Sequence, residues 1–344
     1  MALVLCFSVR SDSLKNNRMT SFANGTERLK IFTWHIHGSY LYYLSKCNFD
    51  IYIPVNAARS EGYYGRGRTF PFGDNVIEVA VEDLKELEFD AILFQSEKNF
   101  RVDQYEVLSE EQRQLPAIYL QHNAPAPHPV NSSHPLDNPE VILVHVTHYN
   151  KLMWKNNVPI VKVIQHGIPE QTVRYTGELE KGIVVINHIR ERGRITGWDI
   201  FEQVRSVVPL DLAGMGTEQY GGLGEVLHPQ LPAFISRYRF FFNPIRHTSF
   251  GLSVCEAMMI GMPIVSLATT EYAVMLKNGV SGFTATDVDE LIAGMQLLLG
   301  DRMLAATMGK EAHAVAQQQF SIKQFTQDWE QVFRFAINNK NVSV

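Results

Sequence analysis

The sequence predicts an α/β protein of two successive units, each a parallel sheet covered by helices, with a cleft between them. Three observations lead there: strand-like runs alternate with helical stretches, the alternation restarts near mid-chain, and 344 residues suit two domains with a core each. The first strands are Arg28-Leu-Lys-Ile-Phe-Thr33, Phe49-Asp-Ile-Tyr-Ile-Pro-Val55, Ala91-Ile-Leu-Phe94, Ala117-Ile-Tyr-Leu120 and Val141-Ile-Leu-Val-His-Val146. The second half repeats the rhythm with Ile160-Val-Lys-Val-Ile164, Gly182-Ile-Val-Val-Ile186, Leu210-Asp-Leu-Ala213, Phe240-Phe-Phe-Asn243 and Pro263-Ile-Val-Ser-Leu267. Gln165-His-Gly-Ile-Pro169 interrupts the pattern with Gly and Pro, so the hinge is placed there. The expected domains are 29–164 and 165–318, followed by a terminal segment 319–344. Downstream, Val288–Leu299 and Met303–Gln318 have helical periodicity, and Ser321 is placed to cap a last helix from Ile322 to about Ala336. Phe325, Trp329, Val332 and Phe333 recur on one face of that helix, as core residues do.

Composition narrows the function. Hydrophobic residues make up 45% and charged residues 19%, the balance of a folded soluble protein and not of a disordered chain. A formal net charge of -5 gives no global attraction to nucleic acid or anionic membrane. Cys6, Cys47 and Cys255 are too few and too far apart for a disulfide framework or a zinc motif, so a reducing compartment fits. The opening Met1–Val9 is apolar but lacks a basic leader and a cleavage site, and residues 10–29 are polar and aperiodic. Residues 1–28 are therefore expected to form a disordered leader, with Met19 as an alternative start. No apolar run approaches the ~20 residues a membrane span needs.

The most informative stretch is Ser249-Phe-Gly-Leu-Ser-Val-Cys-Glu-Ala-Met-Met-Ile-Gly261, continued by Met262-Pro-Ile-Val265. It reads as loop, helix, glycine stop and buried strand. Amides near Gly251, Leu252 and Ser253 fall at the helix's first turn, where N–H groups lack partners and the dipole favours an anion. Glu256, one turn on, suits the two hydroxyls of a ribose as a bidentate acceptor. One helix can thus hold diphosphate and ribose together.

This stretch resembles the signature of GT-B glycosyltransferases of family 4, which reads Glu-Gly-Phe-Gly-Leu-Pro-x-x-Glu-Ala-Met-Ala-x-Gly-x-Pro-Val-Val. Phe250, Gly251, Leu252, Glu256, Ala257, Met258, Gly261, Pro263 and Val265 match. The resemblance implies two Rossmann-like domains facing an interdomain cleft, with the acceptor on the first, the donor on the second and the last helix crossing back. Thr248 stands where the family has its first glutamate, eight residues before the second. That acid contacts the donor sugar in relatives, so the resemblance implies altered sugar handling here, or binding without turnover.

Further residues follow the family pattern. In Ile186-Asn-His-Ile-Arg-Glu-Arg-Gly193, His188 aligns with an arginine of the family, as a ligand or as a packed residue, and Arg192 with a lysine that clamps the diphosphate. A guanidinium can bond two phosphate oxygens and offset charge on the departing group, whereas Arg190 and Arg194 read as a solvated basic face. Trp34-His-Ile-His-Gly-Ser-Tyr40 follows the first strand, and Gly38 and Ser39 match the family's glycine-rich loop beside the donor phosphates. His35 and His37 lack a third ligand, so no metal is expected. His122, after another first-domain strand, aligns with a cleft histidine; it either hydrogen-bonds a sugar or acceptor hydroxyl or packs as a structural residue. Glu271 lies in a loop that relatives place near the donor, where a plain helix cap for Thr269 or Thr270 is the competing reading.

The function so implied is transfer of a sugar from a UDP- or GDP-linked donor to an acceptor hydroxyl, with retention and without metal or other cofactor. The expected acceptor is a surface glycan or its lipid-linked precursor, and nucleic acid is not an expected partner. The expected location is cytoplasmic, extending to peripheral contact with the inner face of the membrane. The alternatives are a non-catalytic sugar-nucleotide binding protein and a GT-B nucleotide-sugar epimerase.

Overall fold

The computed structural model describes residues 28–342. Residues 1–27, which make up nearly all of the expected leader, lie outside the described residues. The first sheet contains β1 (Leu29–Thr33), β2 (Phe49–Val55), β3 (Val76–Ala80), β4 (Ala91–Phe94), β5 (Ala117–Gln121), β6 (Ile142–His145) and β7 (Val161–Val163). Its order is β3-β2-β1-β4-β5-β6-β7 and every pairing is parallel. The second sheet contains β8 (Leu179–Val185), β9 (Leu210–Ala213), β10 (Tyr238–Asn243), β11 (Ile264–Leu267) and β12 (Gly282–Ala285), ordered β12-β11-β10-β8-β9 and again parallel. The α/β class and the two parallel sheets agree with the sequence pattern.

Helices in chain order are α1 (Gly38–Leu44), α2 (Gln104–Val107), α3 (Glu110–Arg113), α4 (His148–Met153), α5 (Trp198–Arg205), α6 (Leu231–Ile235), α7 (Leu252–Ile260), α8 (Tyr272–Met275), α9 (Val288–Gly300), α10 (Arg302–Gln319) and α11 (Ile322–Val342). No single described helix is long and apolar enough to cross a membrane.

The strand orders locate the ligand-binding edges. In an open parallel sheet, ligands bind beyond the carboxyl ends of strands where the winding direction reverses. That point lies between β1 and β4 in the first sheet and between β8 and β10 in the second. The segments leaving these strands carry Trp34–Ser39, Gln95, Asn187–Arg192 and Thr248–Gly251.

Two departures from the sequence pattern have physical reasons. β7 belongs to the first sheet, pairing with β6, so the second unit begins with β8 and not with the Ile160–Ile164 run. β7 is a three-residue edge strand without a fully buried residue, too short to show its allegiance. β3 and β12 have no prominent apolar run, because each is an edge strand with solvent on one side.

The chain passes between the sheets through residues 164–178, where Gly167 lies against α11. A Cβ on Gly167 would come within 2.3 Å of Phe325 Cβ, so this close approach needs glycine. Trp329 Nε1 donates to Tyr40 Oη (3.1 Å) and Phe333 packs edge-on to Phe49 (5.1 Å), which seats α11 on the first unit.

Candidate functional site

A cleft of about 380 Å³ lies between the carboxyl edges of the two sheets. Its walls include Ser39 and His122 from the first unit and Arg192, Thr248, Gly251, Leu252, Ser253 and Glu256 from the second.

The second-unit wall is built on α7. Gly251 is its extended N-cap residue, and Gly261 ends it with φ 94°, a left-handed C-terminal stop. Residues 254–260 are all buried, so the helix is fixed in place, and it meets the cleft through its N-terminal turn and Glu256. The structure narrows the expectation of three free amides. Gly251 N–H donates to Tyr272 Oη (3.0 Å), whose ring stacks on Phe250 at 4.4 Å. The Leu252 and Ser253 amides have no acceptor among the described residues and are the ones available to an anion.

Glu256, 5% exposed, does not face an empty cleft. Its Oε1 accepts from Tyr43 Oη at 2.6 Å and lies 3.3 Å from His228 Nε2, which is itself 3.1 Å from Tyr43 Oη. Burial first, and the Glu256 charge second, raise the Tyr43 pKa well above its usual value, so the phenol stays a donor. No described residue bonds Oε2, which leaves that oxygen for a ligand.

The three arginines of the loop after β8 are separated by their partners. Arg190 lies over the Tyr220 ring (4.4 Å) and Arg194 pairs with Asp199 (2.6 Å). Arg192 lines the cleft, and its guanidinium has no acceptor among the described residues. His188 departs from its expected place: it takes φ 51°, its N–H donates to Met215 O, and its ring covers Gly216. Asn187 lines the cleft instead, because the left-handed turn at His188 directs that ring away.

On the first-unit side, Ser39 lines the cleft and Gly38 lies just behind it, where a Cβ would meet Phe70 Cε2 at 2.4 Å. Glycine at that position therefore lets Phe70 into the wall. His35 is buried and its Nδ1 lies 2.5 Å from Gly65 O, while the His37 ring lies tilted against His122 with centroids 4.0 Å apart. Among the described residues no group of three His, Cys, Asp or Glu side chains converges as a metal site. His122 lines the cleft, with Nε2 3.1 Å from Gln95 Oε1.

Glu271 lies off the cleft. It is 4% exposed, and its Oε2 accepts from the Tyr149 amide at 2.8 Å, bracing α8 against α4 of the first unit. Its carboxylate is thereby spent on the other domain's helix. Ser249 Oγ donating to His122 O (2.6 Å) and His247 Nε2 beside Pro125 O (2.9 Å) are further bridges between units, and His166 Nε2 beside Phe250 O (2.8 Å) ties the connecting segment to the second unit.

Sequence reasoning missed His228 and Gln95, and it read Tyr43, with Trp34, Tyr40 and Tyr42, as core packing ahead of contact with a sugar or lipid. Tyr43 lies in the Tyr40-Leu-Tyr-Tyr-Leu44 run that reads as core, and His228 in a loop without a motif. The buried amide of Gln95 directly after a strand at the reversal point was the one signal that could have been followed.

Two parallel α/β units that oppose their carboxyl edges across a cleft define the GT-B class of fold. Residues 202–301, from within α5 to the start of α10, match the family model described as glycosyl transferases group 1. Known structures of the same fold include TarM of S. aureus, a point mutant solved with fondaparinux, α-GlcNAc-glycerol and UDP (12% identity, TM-score 0.61), over 74% of this chain and 58% of that one. Sucrose-phosphate synthase of Thermosynechococcus elongatus (13% identity, TM-score 0.67) aligns over 91% of this chain and 100% of its own. HepE of Anabaena, solved with UDP and glucose (14% identity, TM-score 0.67), aligns over 90% of this chain and 100% of its own. This chain thus spans little more than half of TarM and the full length of the other two. No curated protein matches it in sequence.

Proposed function

We propose that this protein is a glycosyltransferase that moves a sugar from a nucleotide diphosphate sugar to an acceptor hydroxyl. The observation that carries the reading is the pairing, in one cleft, of an uncommitted first turn of α7 with an unpartnered Arg192. The Leu252 and Ser253 amides and the Arg192 guanidinium would hold the diphosphate and neutralise charge as it departs. Glu256 Oε2 would accept from the ribose. UDP is the favoured nucleotide, because TarM and HepE were solved with it; a GDP donor is the comparison.

In this reading residues 29–164 with the terminal segment 319–344 carry the acceptor, and residues 165–318 the donor. Membership of family 4, retention of anomeric configuration and independence of metal extend the same proposal, since the amides and Arg192 supply the positive charge a metal would. The acceptor class is a surface polysaccharide or glycolipid precursor, met in the cytoplasm or at the inner membrane face. Thr248 in place of an acid favours a second reading, a sugar-nucleotide binding protein without turnover.

The test is release of UDP from UDP-glucose, UDP-N-acetylglucosamine and a panel of other UDP-sugars, with GDP-linked donors in parallel, each with chelator and with candidate glycan acceptors. Release that depends on acceptor supports transfer. Tight UDP binding with no release from any donor would favour the binding protein.

A further inference from the structure

Gln95 follows β4 at the point where the first sheet reverses its winding, and its side chain is 4% exposed. Its Nε2 donates to Thr33 Oγ1 (2.9 Å) and to Trp34 O (2.7 Å). Thr33 Oγ1 spends its own hydrogen on Leu93 O (2.8 Å), so toward Gln95 it can only accept. Both partners therefore demand a nitrogen, and both amide hydrogens are used. The orientation of the amide follows from its bonds, and the reversed one would set Oε1 against a carbonyl oxygen. Oε1 is left facing His122 Nε2 at 3.1 Å. An oxygen without hydrogen pairs only with a ring nitrogen that carries one.

We infer that Gln95 is a positioning residue that fixes the proton of His122 on Nε2, so that the imidazole can meet a ligand in the cleft only through a bare Nδ1, accepting from a hydroxyl and not donating to a phosphate. The backbone is held as firmly as the ring: the His122 carbonyl accepts from Ser249 Oγ (2.6 Å) and Asn150 Nδ2 (3.4 Å). The groups packed on the ring are His37 (4.0 Å) and Tyr40 (4.8 Å) from the start of α1 and Gln95 just after β4, none of them negatively charged. Burial first, then the neighbouring His37 and His166, hold the His122 pKa well below its usual value, which keeps the ring neutral and its tautomer meaningful. The glycosyl-transfer reading says which hydroxyl is met; the tautomer does not depend on it.

Nitrogen-15 NMR of the histidine-labelled full chain, without ligand, tests this, with His122→Gln used to assign the resonances by difference. The expected wild-type pattern at neutral pH is a protonated Nε2 and an unprotonated Nδ1, given a pKa displaced downward by burial. Gln95→Leu is expected to mix the two tautomers. Gln95→Glu keeps the acceptor while losing both donors, so it should retain the Nε2 proton and raise the His122 pKa. A wild-type Nδ1–H tautomer, or an unchanged tautomer in folded Gln95→Leu, overturns the inference. Where Gln95→Leu does not fold, the wild-type spectrum and Gln95→Glu decide. Absence of sugar transfer with the Nε2–H tautomer present would count against the functional reading and leave this one standing.

Discussion

Arg192 is distinguished from its neighbours by what it lacks. Arg190 is spent on Tyr220 and Arg194 on Asp199, so of the three Arg192 alone has a guanidinium along the cleft without a partner among the described residues. Arg192→Ala should lower the rate of transfer about 100–1000-fold, the usual loss for one preorganised charge-stabilising donor. Arg194→Ala, measured in the same assay, should stay near wild type, because an exposed pair contributes little. In the sequence Arg192 was set apart by its alignment with the family's lysine, because a strand followed by a basic loop does not by itself choose among three arginines. The place of His188 was not legible there, because a left-handed backbone at a non-glycine residue leaves no mark in residue type. Tyr43 was hidden for another reason: its ring packs as core while its hydroxyl works on Glu256, and only the second role concerns the cleft.

At the scale of the element, α7 is the part most fully written in the sequence. Its glycine stop, its buried face and its entry from Gly251 all follow from the Ser249–Gly261 stretch. The one feature that could not be read there is the loss of the Gly251 amide to Tyr272, which comes from the next helix in the fold. Leu252→Pro tests the element directly. Proline is tolerated at the first helical position, and Gly251 at φ -78° and ψ 136° already has the conformation a following proline requires. The substitution deletes an amide, so UDP affinity should fall about tenfold, as for one lost hydrogen bond to a charged group. Circular dichroism should show the helix retained, and unaltered UDP affinity would remove the helix N-terminus from the site. α11 offers a test of docking. Gly167→Ala forces a Cβ to within 2.3 Å of Phe325, and an overpacking cost of about 1–3 kcal/mol should appear in urea unfolding.

For the whole molecule, the alternation of strands and helices revealed two units, but strand order, the edge strands β3 and β12 and the contacts between units come from pairings far apart in sequence. Those contacts are numerous and polar: Tyr43 to Glu256, Ser249 to His122, Glu271 to Tyr149 and His247 to Pro125. Tyr43→Phe removes one charge-assisted bond and should cost about 1.5–3 kcal/mol in urea unfolding. Burial also makes the assembly acid-sensitive. It lowers the pKa of His166 and of His145 from 6.5 to about 4. The unfolded chain then binds more protons than the folded one between those values, so stability is full above pH 6.5 and declines as pH falls toward 4. The Tm should drop over that window, and His166→Asn should flatten the decline. The central claim, that α7 and Glu256 form a nucleotide diphosphate site, is met most directly by calorimetric titration of UDP, GDP and ADP into wild type and Glu256→Ala in the presence of chelator. The account predicts that UDP binds wild type without metal and that Glu256→Ala loses most of that affinity. No binding of any of the three to folded wild type, or equal binding to the variant, would contradict it.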